Sequence, residues 1–560
     1  MKNTKKEKNK KNVKQTNDLL GISDTFFEKN QTLLFRIFLG LSFLFTLLLF
    51  DMKVSVGGDD ANYIIRAYDF IHDFKYPAFQ GPLYPMILSI FVGIFGINLP
   101  ILKLLSTIFL TGHFVAFYYA FKNKIPASIL FSTLILIALN TFLLFFGSQT
   151  YSEAMFMFVQ VLFFIFFFKN FIDVSSENID KNRQIVNFLY LGAFLLALGL
   201  IRSIGYTMLI VVLIYFFTQK EWKNAGFSIL SFAAFSGLWK IIKTLVWKDT
   251  QLQFGSQASS LMMVHPYDAS KGTETFMGFV HRFIDNSNIY ISKYFFQMLN
   301  LRPELIKTEK GIMSPEALPV LTLLVYGLII WALIYYFKKN KYLLFAGIYL
   351  VTGLGLTFVI LQTIWAAYRL MIPFLPLLIM FSLLGIYALL KLNKLKSFQW
   401  VFPLIALMLF YYSLKNVSVS VKENQTILKK NLAGNMLAGL TPDWQNYIKM
   451  TQWAAKNVPE NEVIACRKPN IAFIYTKRRF FGIYKVPQNT DPDSLLQNLY
   501  NHNVNYIIMA SLRKYEAQKT QYTINTIYRY MYFIRQKYPN KFALVKQIGI
   551  DEPAYLVKLN

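Results

Sequence analysis

Between residues 33 and 414 long uncharged runs alternate with short polar connections. Each run is near the ~20 residues that cross ~30 Å of hydrocarbon. The runs fall near 33–50, 101–121, 126–147, 154–168, 187–201, 204–217, 224–246, 318–337, 342–361, 370–390 and 399–414. The pattern predicts a mainly α, polytopic membrane protein of about eleven crossing helices. A further apolar stretch, Pro82 to Ile97, is short and carries Pro82 and Pro85. It reads as a re-entrant or juxtamembrane helix rather than a crossing.

Charge then sets the orientation. Seven lysines occupy residues 2–14 ahead of the first run, which lacks a small-residue cleavage site and so reads as an anchor. Lys122 and Lys124, Lys169 to Arg183, Lys220 and Lys223, Lys338 to Lys341, and Lys391 to Lys396 fall at alternate connections. The positive-inside rule places these, and the basic segment 1–32, in the cytoplasm of a cell (inner or plasma) membrane. Residues 51–100, 148–153, 247–317 and 362–369 then face outward, as does the tail 415–560. Counting Pro82–Ile97 as a crossing would reverse every later loop.

After residue 414 the pattern changes to shorter alternating signals. A helix is expected around Trp444–Asn457, a short apolar run follows at Val463–Ala465, and another helix is expected at Leu495–Tyr500, with strands at Tyr506–Met509, Phe542–Val545 and Tyr555–Leu559. This predicts a small extracytoplasmic α/β domain. It shows no Gly-rich phosphate loop and no triad pattern, and a recognition or lid role is expected.

Composition agrees with a membrane class: 560 residues, 55% hydrophobic, with 54 Phe and 16% charged. A net charge of +28 would point to nucleic acid in a soluble chain, but here the cations sit mostly in loops, so nucleic acid is not an expected partner. The single cysteine, Cys466, excludes an intrachain disulfide and any CxxC metal site.

Ionisable groups at membrane depth are costly, so those at outer helix ends carry the functional information. The first outer loop reads GGDDANYIIRAYDF over residues 57–70. Gly57 and Gly58 permit a tight turn, and Asp59 can cap a helix starting near Asp60. Ala61, Ile64, Ile65, Tyr68 and Ile71 form one apolar face suited to the membrane interface. Glu153, in GSQTYSEAMF, lies on the same side; alone it reads equally as a helix-start carboxylate. Lys103, Arg202 and Arg369 add cations there, a set that fits an anionic head group. The loop 247–317 contributes His265, His281, Arg282 and an amphipathic helix from Phe276 to Leu299. Two lone histidines do not make a metal site; no metal or other cofactor is assigned, and a divalent requirement stays open.

The order of these features resembles the GT-C membrane glycosyltransferases, most closely family 39, the protein O-mannosyltransferase and aminoarabinose transferase group. Asp59, Asp60, Ala61 and Tyr63 are similar to the family's outer-loop acidic motif, with Asp in place of the usual second Glu. GPLYPMILSIFVGIFG, residues 81–96, resembles its Pro-Pro-Leu juxtamembrane helix, with Gly81 for the first proline. Lys103 stands where Arg is usual, Glu153 matches a later acid, and Arg202 precedes Ser203 where Pro is common. Arg369, followed by Pro373 and Pro376, resembles the arginine before a Pro-containing crossing. The likeness spans roughly residues 33–400. It implies transfer of a sugar from a polyprenyl-phosphate donor to a lipid, glycan or protein acceptor, with inversion at the anomeric centre. Asp59 is then the general base, Asp60 and Glu153 orient acceptor or sugar, and Lys103, Arg202 and Arg369 bind the donor phosphate. A transporter or lipid flippase, and a non-catalytic envelope-assembly protein, are the alternatives; the absence of an evident internal repeat weighs against the first.

Overall fold

The computed structural model describes residues 18–78, 81–173, 181–247, 261–266, 271–304, 306–308, 311–487, 490–513 and 523–560. The basic segment 2–14 and part of the Lys169–Arg183 connection lie outside these residues.

Among the described residues nine helices are long and apolar enough to cross a membrane: Gln31–Leu48, Leu99–Phe121, Ser152–Ile172, Asn182–Ile201, Trp222–Val246, Pro319–Tyr336, Lys341–Ile360, Ile372–Leu390 and Val401–Leu432. A tenth is the pair Ala127–Ala138 and Thr141–Gly147, bent by 61°. Asn140 makes the bend: its side chain caps the second half through Leu143 N at 3.1 Å and donates to the Met298 carbonyl at 2.6 Å. Length and hydropathy make the chain an integral membrane protein.

The remaining expected crossing, 204–217, falls short of a full α-helical span. A 3₁₀ turn, Ser203–Tyr206, takes up its start and leaves 12 α-helical residues, Thr207–Thr218. At 1.5 Å per residue that is about 18 Å. Its two ends still reach opposite ends of the bundle, because Arg202 pairs with Glu153 while Phe216 packs on Phe167 and Phe171 at the far end of the Glu153 helix. The last crossing departs in the other direction. It continues past residue 414 to Leu432, so the final span and the start of the tail are one rod.

The connections read as basic gather at one end. Asn340 donates to the Lys124 carbonyl at 2.6 Å, Tyr342 donates to Asp173, and Lys124 lies 4.9 Å from the Phe168 ring centroid. The acidic and cationic motifs gather at the other. The Leu83–Phe95 helix also lies there and is only 13 residues long, about 20 Å. It packs on the Asp59–Asp73 helix, with Tyr63 and Tyr84 in an edge contact at 5.1 Å.

Most of the apolar face of the Asp59–Asp73 helix is not available to the membrane interface; only Ile71, at its far end, is exposed. Ala61, Ile64 and Ile65 are buried in the protein core, because the Leu83–Phe95 helix and the tail cover that face.

The tail folds as an α/β layer structure. Its sheet runs Phe481–Gly482, Val463–Cys466, Val504–Met509, Ala554–Leu559, Phe542–Ile548, with the first three strands parallel and the last two antiparallel to their neighbours. Strand alternation divides the side chains between two cores. Ile464, Cys466, Ile508 and Leu556 join Trp444 and Tyr447 in a core continuous with the membrane bundle. Ala465, Ile507 and Val557 face Leu495, Leu499 and Tyr530 of the outer helical layer. The helix Pro469–Thr476 and the helix Thr526–Lys537 are additions to the expected elements.

Candidate functional site

The chain leaves the Gln31–Leu48 helix and turns at Gly57–Gly58 into the Asp59–Asp73 helix. Gly58, at φ +86°, is the helix cap, in a left-handed conformation that suits glycine. Asp59 is therefore the first helical residue and not the cap. Its carboxylate accepts from Arg369 instead.

Arg369 sits in a 3₁₀ turn, Tyr368–Leu370, between two spans. Its Nη1 pairs with Asp59 and its Nε with Glu153, and its guanidinium stacks 4.6 Å from the Tyr151 ring centroid. Arg202 reaches Glu153 from the other side at 2.6 Å and donates to Ser152 Oγ at 3.3 Å. Ser152 Oγ also meets Tyr63 OH at 2.9 Å. The arrangement joins Asp59, Glu153, Arg202 and Arg369 in one cluster of two carboxylates and two guanidiniums. Gly81 explains part of its placement: a Cβ there would collide with the carbonyls of Leu200 and Ile201, next to Arg202.

Exposure separates the carboxylates. The Asp59 side chain is 41% exposed, while that of Glu153 is 0% exposed. Asp60, also fully buried, accepts from Ser55 N at 2.7 Å, Ser55 Oγ at 3.2 Å and its own neighbour Ala61 N at 2.8 Å. Burial pushes its carboxyl up to about 6, against the pull of those donors and of Lys103. Ser55 Oγ bonds to Tyr151 OH at 2.7 Å, which ties the Asp60 loop to the ring beneath Arg369.

Lys103 lies outside the cluster. Its fully buried ammonium meets the Asp51 carboxylate and the carbonyls of Asp51 and Lys53 at 3.0 and 2.6 Å. Burial acts to raise the Asp51 pKa, but Lys103 and Lys53 hold it below the usual carboxylate range. Three acceptors thus occupy the three donors of Lys103. The pair was hidden because Asp51 directly follows an apolar run and reads as a plain helix-end residue. Arg282 is likewise structural, paired with Glu274 at 2.6 Å and donating to the carbonyls of Leu261 and Ile360. His281 is exposed. Among the described residues no group of three or more His, Cys, Asp or Glu side chains could hold a metal ion.

Two further features escaped sequence reasoning. A cavity of about 400 Å³ adjoins the cluster through Ser55 and Tyr368, with Asp51, Gln149, Asn416 and Glu423 in its wall. From the tail, Lys468 Nζ donates to the carbonyls of Val56 and Gly57, both at 3.1 Å.

Neither a protein-family profile nor a curated protein sequence matches the chain. Solved structures do. ArnT from Cupriavidus metallidurans, in the apo state, is 11% identical with a TM-score of 0.52, covering 93% of this chain and 97% of its own. The same ArnT bound to undecaprenyl phosphate gives 11% identity and a TM-score of 0.51 over 93% and 97%. The archaeal oligosaccharyltransferase AglB from Archaeoglobus fulgidus, complexed with an inhibitory peptide and a dolichol-phosphate, is 12% identical with a TM-score of 0.53, covering 94% of this chain and 74% of that one. Over nearly its whole length, bundle and tail together, the chain has the GT-C fold of membrane glycosyltransferases.

Proposed function

We propose that the protein is a glycosyltransferase that moves a sugar from a polyprenyl-phosphate donor to an acceptor on the outer face of the membrane. The observation that carries the reading is Arg369, which bridges the half-exposed Asp59 and the buried Glu153 in a GT-C fold. The neighbours named above, one bound to undecaprenyl phosphate and one to dolichol-phosphate, support a donor of that class.

The acceptor hydroxyl oxygen attacks the anomeric carbon, and the bond from that carbon to the phosphate oxygen breaks with its electron pair on the phosphate. Asp59 takes the hydroxyl proton. Arg369 and Arg202 stabilise the departing phosphate, whose lipid stays in the bilayer. A single displacement inverts the anomeric centre. Donor phosphate competes with Asp59 for Arg369, so donor binding frees the base at the moment it is needed. Glu153 keeps the two arginines in place, and Asp60 holds the loop. The cavity beside Ser55 and Tyr368 is the space we assign to the acceptor's polar part. The basic connections lie in the cytoplasm by the positive-inside rule, which puts the site and the tail outside.

The test is reconstitution of the purified protein with polyprenyl-phosphate sugars and an envelope extract. Sugar transfer coupled to release of polyprenyl phosphate is expected. Envelope glycans that are identical by mass spectrometry with and without the protein, and no release from any donor, would refute the reading.

A further inference from the structure

The acidic loop is held from the tail as well as from the bundle. The Pro469–Thr476 helix packs on the Asp59–Asp73 helix, and the residue just before it is Lys468. Lys468 is itself fixed by Tyr447, whose hydroxyl donates to its carbonyl at 3.1 Å and accepts from its N–H at 3.2 Å. That leaves the ammonium placed where the carbonyls of Val56 and Gly57 converge, 3.1 Å from each. These are the two carbonyls that precede the left-handed Gly58, and Ile471 packs over Gly58 itself. Neighbouring contacts run the same way: Tyr475 OH accepts from Val54 N at 3.3 Å, Asn470 bonds to Asn62, and Arg479 pairs with Asp69.

We propose that Lys468 is a positioning residue for the acidic loop, its ammonium setting the Gly57–Gly58 turn that aims Asp59 at Arg369. The tail is then a working part of the site, because the first turn of the acidic helix takes its geometry from a residue more than four hundred positions later in sequence. An ammonium suits the task. It offers three donors to a pair of backbone carbonyls for which no backbone N–H partner is seen among the described residues, and a bond from a charged donor is stronger than a neutral one. Asp59, Asp60 and Arg467 are the charged groups that act on it, and the Trp444 ring lies 6.0 Å away. Burial, with Arg467 beside it, lowers its pKa to about 8, so it still carries its charge at pH 7.

The activity arm of the test rests on the glycosyltransferase reading; the exchange arm does not. Full-length Lys468→Met and Lys468→Arg are compared with wild type by amide hydrogen exchange over residues 54–62 and by transfer kinetics with a polyprenyl-phosphate sugar. Loss of charged hydrogen bonds of this kind corresponds to roughly ten- to hundredfold. Lys468→Met is expected to speed exchange in residues 54–62 by about tenfold or more. Its kcat should fall by about tenfold or more with donor KM nearly unchanged, because Arg202 and Arg369 are untouched. Lys468→Arg should restore most of both. Unchanged exchange in Lys468→Met overturns the proposal, whatever happens to kcat; so does faster exchange with full kcat. If protection is also lost in Val504–Met509, the tail has loosened and Lys468→Gln carries the same comparison. Faster exchange in residues 54–62, with no transfer even by wild type, upholds the clamp and refutes the transferase.

Discussion

Arg369 binds Glu153 through Nε, and the Glu153 carboxylate it holds is fully buried while Arg202 contacts the same oxygen from the other side at 2.6 Å. One carboxylate oxygen thus serves two guanidiniums brought from different connections, and the second, Oε2, has no hydrogen-bond partner among the described residues. The cluster is balanced by charge, two cations against Glu153 and Asp59, only as long as each member is present.

Glu153→Gln should therefore be costly. Removing the anion leaves two cations facing one another in a buried place, a change that commonly costs about 3–5 kcal/mol. Thermal unfolding in detergent should show a large loss for Glu153→Gln. Combining it with Arg202→Gln should recover part of it, a non-additivity expected for residues in one network. Strict additivity of the two losses would show that the ion pair carries no coupling.

Arg369→Ala should impair use of the lipid-linked donor more than it impairs folding. A charge-assisted contact to phosphate contributes about 1.5–3 kcal/mol, or roughly ten- to hundredfold in donor affinity. Arg369→Lys should recover little, since a lysine ammonium cannot present the guanidinium fork to two carboxylates at once. Donor saturation that is the same in Arg369→Ala and wild type would place the phosphate elsewhere.

Asp60 gives a pH test. Its folded pKa, about 6, is raised from 3.8 by burial, so the folded state holds the proton more tightly than the unfolded one. The associated stability is present below pH 3.8 and is lost as pH rises through about 6. The ionised form costs up to about 3 kcal/mol at neutral pH. Asp60→Asn escapes that cost while giving up one hydrogen bond, because an amide cannot accept at both ends. The difference in Tm between variant and wild type should thus move in the variant's favour from pH 5 to pH 7.5. A difference that stays flat across that interval would mean that Asp60 titrates alike in both states.

Orientation is checked with single cysteines. Native Cys466 is buried, and burial pushes its thiol up to about 12, so it gives a silent background. Cysteines replacing Lys339 and Lys394 should be protected from impermeant thiol reagents in intact cells, and those replacing Lys271 and Lys546 should be labelled. All four positions are exposed, which makes labelling a matter of side and not of access. The reverse pattern would invert the assignment of every loop.

Much of the fold was legible because apolar runs of membrane length have few alternatives. What escaped lay inside them. The bend at Asn140 sits within an uninterrupted apolar stretch, and only its partner Met298, far along the chain, shows why the helix breaks there. The last crossing runs on to Leu432 because its sequence turns polar without a helix breaker. At the site, Asp59, Glu153, Arg202 and Arg369 stood out as a set of charges at apolar ends on one side, although Asp59 alone can be read as a helix cap and Glu153 alone equally well as a helix-start carboxylate. Lys103 stood out for the same reason, yet its partner Asp51 consumes it. Lys468 could not be found in this way, since a lysine in a polar tail is unremarked until the fold brings it to Gly57.

The most direct measurement is transfer by purified Asp59→Asn in the presence of saturating polyprenyl-phosphate sugar. Gly58 caps the helix and the Asp59 carboxylate is engaged by Arg369, so the amide leaves the helix start as it was. It retains the size of the side chain and removes the proton acceptor, a function contributing about 10²–10⁴ in rate. Turnover should fall by about that factor, with membrane insertion intact and donor bound at least as tightly as in wild type, because the amide no longer competes for Arg369. Near-normal turnover in a variant that binds donor normally would contradict Asp59 as the base, and with it the mechanism proposed for this site.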